Sequence, residues 1–325
     1  MSNREIVVEN LVKKYNGSVT AVDNISFQVE AGQIFGFLGP NGAGKSTAIK
    51  ILTTLALPTS GRATVGGYDV VHEAGRVRAI AGVALQEIGL DPLMKSRELL
   101  TLQGQLFGLS RGQARQRAEE LLRLVRLEDA VDRRVGKYSG GMRRRLDLAL
   151  ALVHQPEILF LDEPTTGLDP ASRRDVWEEV RRLNERLGMT IFLTTQYLEE
   201  ADELADNIAI IDHGQIVAEG SPAALKASLS AESINVTFRD EAATEQALAA
   251  LGDLAARVQQ DRRVLRLYLN HAAEAMPRVV SRLQGADLEP ISLTLTQPTL
   301  DDVFLAVTGQ RFQSPAAGTE DAQAA

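Results

Sequence analysis

The chain has 325 residues, about twice a typical domain of roughly 150, which sets an expectation of two domains. Its 35 Lys and Arg against 43 Asp and Glu leave a net charge of −8, and it has no cysteine; a protein built throughout to bind polyanions is disfavoured, and disulfide scaffolds, thiol catalysis and Cys-ligated zinc are excluded. The longest stretch without a charged side chain, Ala31 to Gly44, is 14 residues, short of the ~20 apolar residues that a membrane-spanning helix needs. No apolar signal region follows Met1-Ser2-Asn3-Arg4-Glu5, so a soluble, cytoplasmic chain is expected.

Ile6, Val8 and Leu11 open a β-rich run, and Ala21 to Val29 alternates toward Phe27 and Val29. The apolar run Gln33 to Leu38 ends at Gly39-Pro40, where a loop must start, and Lys45 to Leu55 reads as a helix. Arg97 to Phe107 and Arg111 to Val125 are amphipathic, the second with Ala114, Ala118, Leu121, Leu122 and Val125 on one face. Ile158 to Leu161 is a continuous apolar strand of the kind buried on both faces of a parallel sheet. Pro170 suits the first turn of a helix over Ala171 to Leu187, and Met189 to Thr195 is another buried strand. Alternating strands and helices make this part α/β.

Ser221-Pro222 starts one more helix, and after Ser228 the texture changes. Strands over Ile234 to Phe238, Arg263 to Leu269 and Leu288 to Leu295 alternate with helices over Ala242 to Leu251, Ala272 to Leu283 and Thr299 to Val307. Thr299 and Asp302 form a capping-box pattern at the last helix. The order suggests a two-layer α+β domain, ferredoxin-like in its succession of elements. The expected domains are therefore 1–228 and 229–310, with 311–325 a disordered tail.

The run Gly39-Pro40-Asn41-Gly42-Ala43-Gly44-Lys45-Ser46-Thr47 matches G-x-x-x-x-G-K-[ST] between a predicted strand and a predicted helix, the context in which this pattern cradles a nucleoside triphosphate. Its glycines let successive N–H groups point at phosphate oxygens, and the helix adds the positive end of its dipole. Lys45 would reach the β- and γ-phosphates, and the Ser46 hydroxyl would ligate Mg²⁺. Asp162 and Glu163 follow the strand Ile158 to Leu161, at the crevice where parallel sheets bind ligands. Asp162 is placed to hold the metal and Glu163 to orient or deprotonate the attacking water. Tyr138-Ser139-Gly140-Gly141-Met142 precedes another helix; Ser139 can cap it, and a glycine-opened helix N-terminus is itself an anion site. Two phosphate-directed helix ends in one domain suggest that the second grips a nucleotide held by a partner molecule.

With Gln86, Asp162-Glu163-Pro164 and Gly167-Leu168-Asp169, these motifs stand in an order and spacing that resembles ATP-binding-cassette (ABC) ATPases, over roughly residues 4 to 225. The resemblance implies an α/β P-loop NTPase of the ABC type, with a RecA-like core, a β-rich subdomain, a helical subdomain near residues 87–135 and a small C-terminal α+β domain added. It further implies that Tyr15 stacks on adenine, although a strand-end aromatic covering the core is the alternative. Gln86 would contact Mg²⁺ and the water and lead into the segment that meets a membrane partner. Ser139, Gly140 and Gly141 would embrace the γ-phosphate held by a second copy, and Asp169 would communicate across that homodimer. Two ATP molecules would lie head to tail between the copies. The signature reads Tyr138 and Met142 where the family more often has Leu and Gln, and Gln196 occupies the place of the usual switch histidine. A Gln amide can donate to a γ-phosphate oxygen but does not change protonation near neutral pH. Glu163 is accordingly expected to be the main catalytic group, with Lys45 and Gln196 holding the phosphate.

Thr194 to Asp202, Ile211-Asp212-His213-Gly214 and Gln297 to Phe304 also resemble the daunorubicin/doxorubicin-resistance exporter branch. That branch implies export of a drug, lipid or other hydrophobic substrate through a separately encoded transmembrane permease, which would hold the chain peripherally on the inner face of the membrane. An importer ATPase, or a non-transport cassette ATPase, remains the alternative. The basic runs Arg111 to Arg126 and Arg143-Arg144-Arg145 form no nucleic-acid pattern: the first carries interleaved Glu119 and Glu120, and the second is expected to lend positive charge to phosphate beside the signature.

Overall fold

The structure is a computed structural model that describes residues 4–16, 19–86, 89–229, 232–255, 257–269, 272–296 and 298–309. These residues fall into two compact units, one ending at Ser221 and the other beginning at Pro222.

In the first unit, β1 (Ile6–Tyr15) and β2 (Val19–Val29) form a long antiparallel pair with Ile6 opposite Val29. β3 (Ile34–Leu38) leads through the glycine-rich loop into α1 (Lys45–Leu52). β4 (Ser60–Val65), β5 (Tyr68–Asp69), α2 (Ala74–Ile80) and β6 (Ala81–Ala84) follow; they are too short, and too broken by Gly61, Gly66 and Gly67, to announce themselves by periodicity. α3 (Ser96–Leu106) and α4 (Arg111–Leu124) are the two amphipathic helices, and α4 buries Ala114, Ala118, Leu121 and Leu122 behind a Ser110–Gln113 capping box. Then come α5 (Gly140–Ala151), β7 (Ile158–Asp162), α6 (Pro170–Leu187), β8 (Thr190–Thr195), α7 (Leu198–Leu204), β9 (Asn207–Asp212) and β10 (Gln215–Gly220).

These strands make a four-stranded sheet, order β2-β1-β4-β5, and a six-stranded sheet, order β10-β9-β3-β8-β7-β6. In the larger sheet β9, β3, β8, β7 and β6 run parallel, and β10 is an antiparallel edge. Every residue of β3, β7 and β8 is buried, as continuous apolar strands require when both faces are covered. Successive residues serve opposite sides. Ile34, Leu159, Leu161, Ile191 and Leu193 pack with apolar residues of α4, α5 and α6, while Phe35, Phe37, Ile158, Phe160 and Phe192 join the core under the four-stranded sheet and α1. There Phe27, Phe35 and Phe192 stack with ring centroids 5.4–5.8 Å apart. Among the described residues no helix is long and apolar enough to cross a membrane.

The second unit comprises α8 (Pro222–Ser228), β11 (Glu232–Thr237), α9 (Glu241–Leu251), β12 (Arg257–Asp261), β13 (Val264–Leu269), α10 (Ala272–Gly285), β14 (Ser292–Thr296) and α11 (Leu300–Thr308). Its strands form an antiparallel sheet in the order β12-β13-β11-β14, the arrangement of a ferredoxin-like fold. Ile234, Val236, Leu265, Leu267 and Leu269 pack with Ala247, Leu251, Val279 and Leu283 of the helices. The opposite sheet face carries Asn235, Arg266, Gln259 and Tyr268, joined by side-chain hydrogen bonds of 2.9 and 3.1 Å. The capping box of Thr299 and Asp302 forms as read, and α11 packs on α8. The two units part before α8, not after Ser228. β14 also starts later than Leu288: Ile291 and Leu295 are exposed, while Leu288, ahead of the strand, and Leu293 pack against the core. The tail over 311–325 lies outside the described residues.

Candidate functional site

The loop after β3 is shaped by what its glycines approach. A Cβ at Gly39 would lie 2.3 Å from the Ile211 carbonyl oxygen, and one at Gly44 would lie 2.2 Å from that of Ala21. Gly44 also has φ 110°, a left-handed conformation, and heads α1 without any side-chain cap. Glycine is the residue that satisfies both constraints, and the helix thus begins with its first N–H groups at the loop, the geometry that receives phosphate. Gly39 N–H donates to Thr195 O at 3.2 Å, and Gly214 N–H to Ala43 O at 3.0 Å, so the loop is fixed to the ends of β8 and β9. Asn41 and Gly42 are exposed at its tip, and Ser46 and Thr47 are half-buried in the first turn of α1.

Lys45 is buried and folds back over the loop. Its Nζ donates to Gly39 O at 2.8 Å and Pro40 O at 3.0 Å and lies 3.2 Å from Glu163 Oε1. Burial lowers its pKa, and the neighbouring Glu163 and Asp162 oppose that effect. Glu163 follows β7 with a left-handed backbone, φ 47°. Its N–H donates to the Thr194 carbonyl and hydroxyl oxygens, both at 3.1 Å. Its Oε2 accepts from Gln86 Nε2 at 3.1 Å, Thr166 Oγ1 at 3.2 Å and Gln196 Nε2 at 3.3 Å. One carboxylate therefore gathers donors from the loop helix, the end of β6, the turn after β7 and the end of β8.

Asp162 is 3 % exposed at the last position of β7. Its Oδ1 accepts from Thr194 Oγ1 at 2.6 Å and from Ser46 Oγ at 3.3 Å. A carboxylate and a hydroxyl converging at the phosphate loop are hard oxygen donors, which suit Mg²⁺ completed by substrate oxygens and water. Among the described residues no group of three or more His, Cys, Asp or Glu side chains is gathered as a metal site.

Ser139 caps α5, accepting from Met142 N–H at 3.2 Å. A Cβ on Gly140 would come 3.1 Å from Leu168 Cδ2, and one on Gly141 would come 3.0 Å from Ser172 Oγ. The signature turn is thus seated against the turn that carries Asp169. Asp169 caps α6 through Ala171 and Ser172 N–H at 3.0 Å and accepts from Ser172 Oγ at 2.6 Å. Tyr15 ends β1, 40 % exposed, with Lys13 Nζ 4.9 Å from its ring centroid; it does not cover the core.

The three consecutive arginines do not supply a common positive field. Arg143 is exposed, Arg145 donates to the Val125 and Arg126 carbonyls, and Arg144 is buried among backbone carbonyls of the sheet ends. Successive helical residues point about 100° apart, so a charge run on a helix cannot face one ligand. Glu200 was not legible as a buried carboxylate either. It is fully buried, accepts from Thr165 Oγ1 at 2.8 Å and Trp177 Nε1 at 2.9 Å, and burial raises its pKa.

The parallel sheet, the phosphate loop at the end of β3 and the carboxylate pair at the end of β7 define a P-loop ATPase of the cassette type. Residues 22–166 match the family model described as ABC transporter, and residues 220–308 match that of the ATP-binding protein DrrA1-3-like C-terminal domain. The chain belongs to the ABC transporter family of ATP-binding proteins and is an ATP hydrolase of that type. The daunorubicin resistance ATP-binding protein DrrA3 of Streptomyces coeruleorubidus is 46% identical over 309 residues, 95% of this chain and 97% of that one. The doxorubicin resistance ATP-binding protein DrrA of Mycobacterium tuberculosis is 43% identical over 315 residues, 95% of each chain. Among solved structures, a dimeric post-hydrolysis ATP-binding cassette bound to ADP and Pi has a TM-score of 0.60 at 27% identity, covering 66% of this chain and 98% of that one.

Proposed function

We propose that this chain is the ATPase subunit of an exporter for a drug, lipid or other hydrophobic substrate, working as a homodimer with a separately encoded transmembrane permease. Likeness along nearly the whole chain to resistance ATP-binding proteins, with a matching C-terminal domain, supports the export reading. The Nod factor export ATP-binding protein I of Paraburkholderia xenovorans, 42% identical over 304 residues, extends it beyond drugs. Attachment to the inner face of the membrane would come through the permease. Residues 222–310 act as the accessory domain.

In this reading Gly39 to Thr47 wrap the triphosphate, Tyr15 stacks on the adenine, and Lys45 moves from Glu163 to the β- and γ-phosphate oxygens. Ser46 and Asp162 would hold Mg²⁺, together with Gln86, and the ion would supply charge neutralisation at those oxygens. Glu163, released from Lys45, orients the attacking water and accepts its proton. Gln86 steadies that carboxylate beside the metal and the water, and Gln196 steadies it while donating toward the γ-phosphate. Ser139, Gly140 and Gly141 close on the nucleotide of the partner, and Asp169 sits at that junction.

The observation that carries this reading is the convergence of Lys45, Gln86, Thr166 and Gln196 on one buried carboxylate. Glu163→Gln keeps the shape and removes the base. ATP turnover should fall at least about a hundredfold, in line with loss of a general base, while ATP affinity is retained. A near-wild-type rate in that variant rejects the assignment.

A further inference from the structure

Arg144 is a guanidinium held at 3 % exposure in the second turn of α5. Burying such a charge is expensive unless it is well hydrogen-bonded, and here each of its three nitrogens donates. Nε donates to Pro164 O at 2.8 Å, Nη1 to Leu85 O at 2.7 Å and to Asp147 Oδ2 at 3.0 Å, and Nη2 to Asp162 O at 3.0 Å. The addresses of the three carbonyls are informative. Leu85 immediately precedes Gln86, and Asp162 and Pro164 bracket Glu163. One planar fork therefore fixes the backbone on both sides of the left-handed Glu163 and the backbone that delivers Gln86 to it. The same residue rides on the helix whose first turn is Ser139-Gly140-Gly141.

We propose that Arg144 is a positioning residue: it locks Glu163 and Gln86 of this chain's own ATP site to the helix whose signature turn serves the partner's site, so that the closure of one site sets the hydrolytic geometry of the other. The proposal rests on the roles given above to Glu163 and the signature turn. A side chain needed only to fill volume would be apolar, and one needed only for a surface charge would not consume its donors on three backbone carbonyls from two strand ends. The left-handed backbone at Glu163 gives the clamp something to hold, since such conformations persist only where their surroundings over-determine them.

The test uses the full-length protein. Lysine keeps the charge but not the planar fork, so Arg144→Lys should lower kcat for ATP hydrolysis about tenfold or more, within the roughly hundredfold that a misplacement of about an ångström can cost. The Kd for ATP should stay within about twofold, because the Lys45 cradle does not touch Arg144. Arg144→Lys added to Glu163→Gln should lower the residual rate by less than twofold, because Arg144 acts through Glu163. Should the lysine variant fail to fold, Asp147→Ala unpins the guanidinium without removing it and should lower kcat about threefold.

A folded Arg144→Lys with kcat within twofold of wild type, or a change confined to KM or to melting temperature, overturns the proposal. So does a double variant whose two losses multiply. If Glu163→Gln alone stays active, the reading of Glu163 fails first and separately; if it is inactive and Arg144→Lys is not impaired, only the positioning role is lost.

Discussion

Glu163 shows how a backbone conformation becomes chemistry. Its φ of 47° turns the chain out of β7 and aims the carboxylate at Lys45 instead of continuing the strand alternation. Gln196 is held in the same cluster, and this bears on the missing switch histidine. An amide has no ionisation in the working range, so the activity of the natural protein should lack an acidic limb attributable to this position. Gln196→His introduces a group with an unperturbed pKa near 6.5, and the pH profile of ATP turnover should then acquire a new inflection between about pH 5.5 and 7.5. Identical profiles for the two proteins would show that residue 196 does not face the reacting groups. The Lys45, Asp162 and Glu163 cluster was legible in the sequence because each residue sits at a fixed offset from a strand end. Thr166, Thr194 and Arg144 were not, since their contacts join segments distant in the chain and no local period marks them.

At the scale of elements, what could be read depended on how complete a period each one carries. α4 shows its apolar face over fourteen residues and was found with its buried set intact. β12, with the sequence RVQQD, offers one apolar residue and takes its place only by pairing with β13. A different kind of inter-element joint is His154. Its ring stacks on Phe107, which follows α3, at 4.2 Å between centroids, and its Nε2 lies 3.1 Å from the Ala81 carbonyl oxygen of β6. Burial lowers its pKa. The folded protein thus favours the neutral ring, and this contribution is complete above the unfolded pKa of about 6.5 and is lost as pH falls below it. His154→Leu should therefore narrow the drop in melting temperature between pH 7 and pH 5. Thermal melts at the two pH values check this, and an unchanged drop places the acid sensitivity elsewhere.

For the whole molecule, the division before α8 is the decision with most experimental reach. The change of composition after Ser228 suggested a boundary one helix later, because α8, seven residues long, reveals its allegiance only through buried Leu225 and its packing on α11. Each unit has its own apolar cluster. Residues 222–325 expressed alone should consequently melt in a single cooperative transition, followed by circular dichroism. The fragment 1–221 should retain ATP binding. A non-cooperative melt of the smaller fragment would mean that its fold depends on the rest of the chain.

The alternate loyalties of β3, β7 and β8 have a mechanical consequence. Because Leu159 and Phe160 belong to different cores, neither face of the wall can slide without shearing a close-packed interior on the other side, and such interiors have low compressibility. The strands that end in the phosphate loop and the carboxylates therefore behave as a stiff anvil. Whatever stroke ATP drives has to be taken up by tilting of the surrounding helices, and the compliance of the motor lies outside the sheet that holds its fuel.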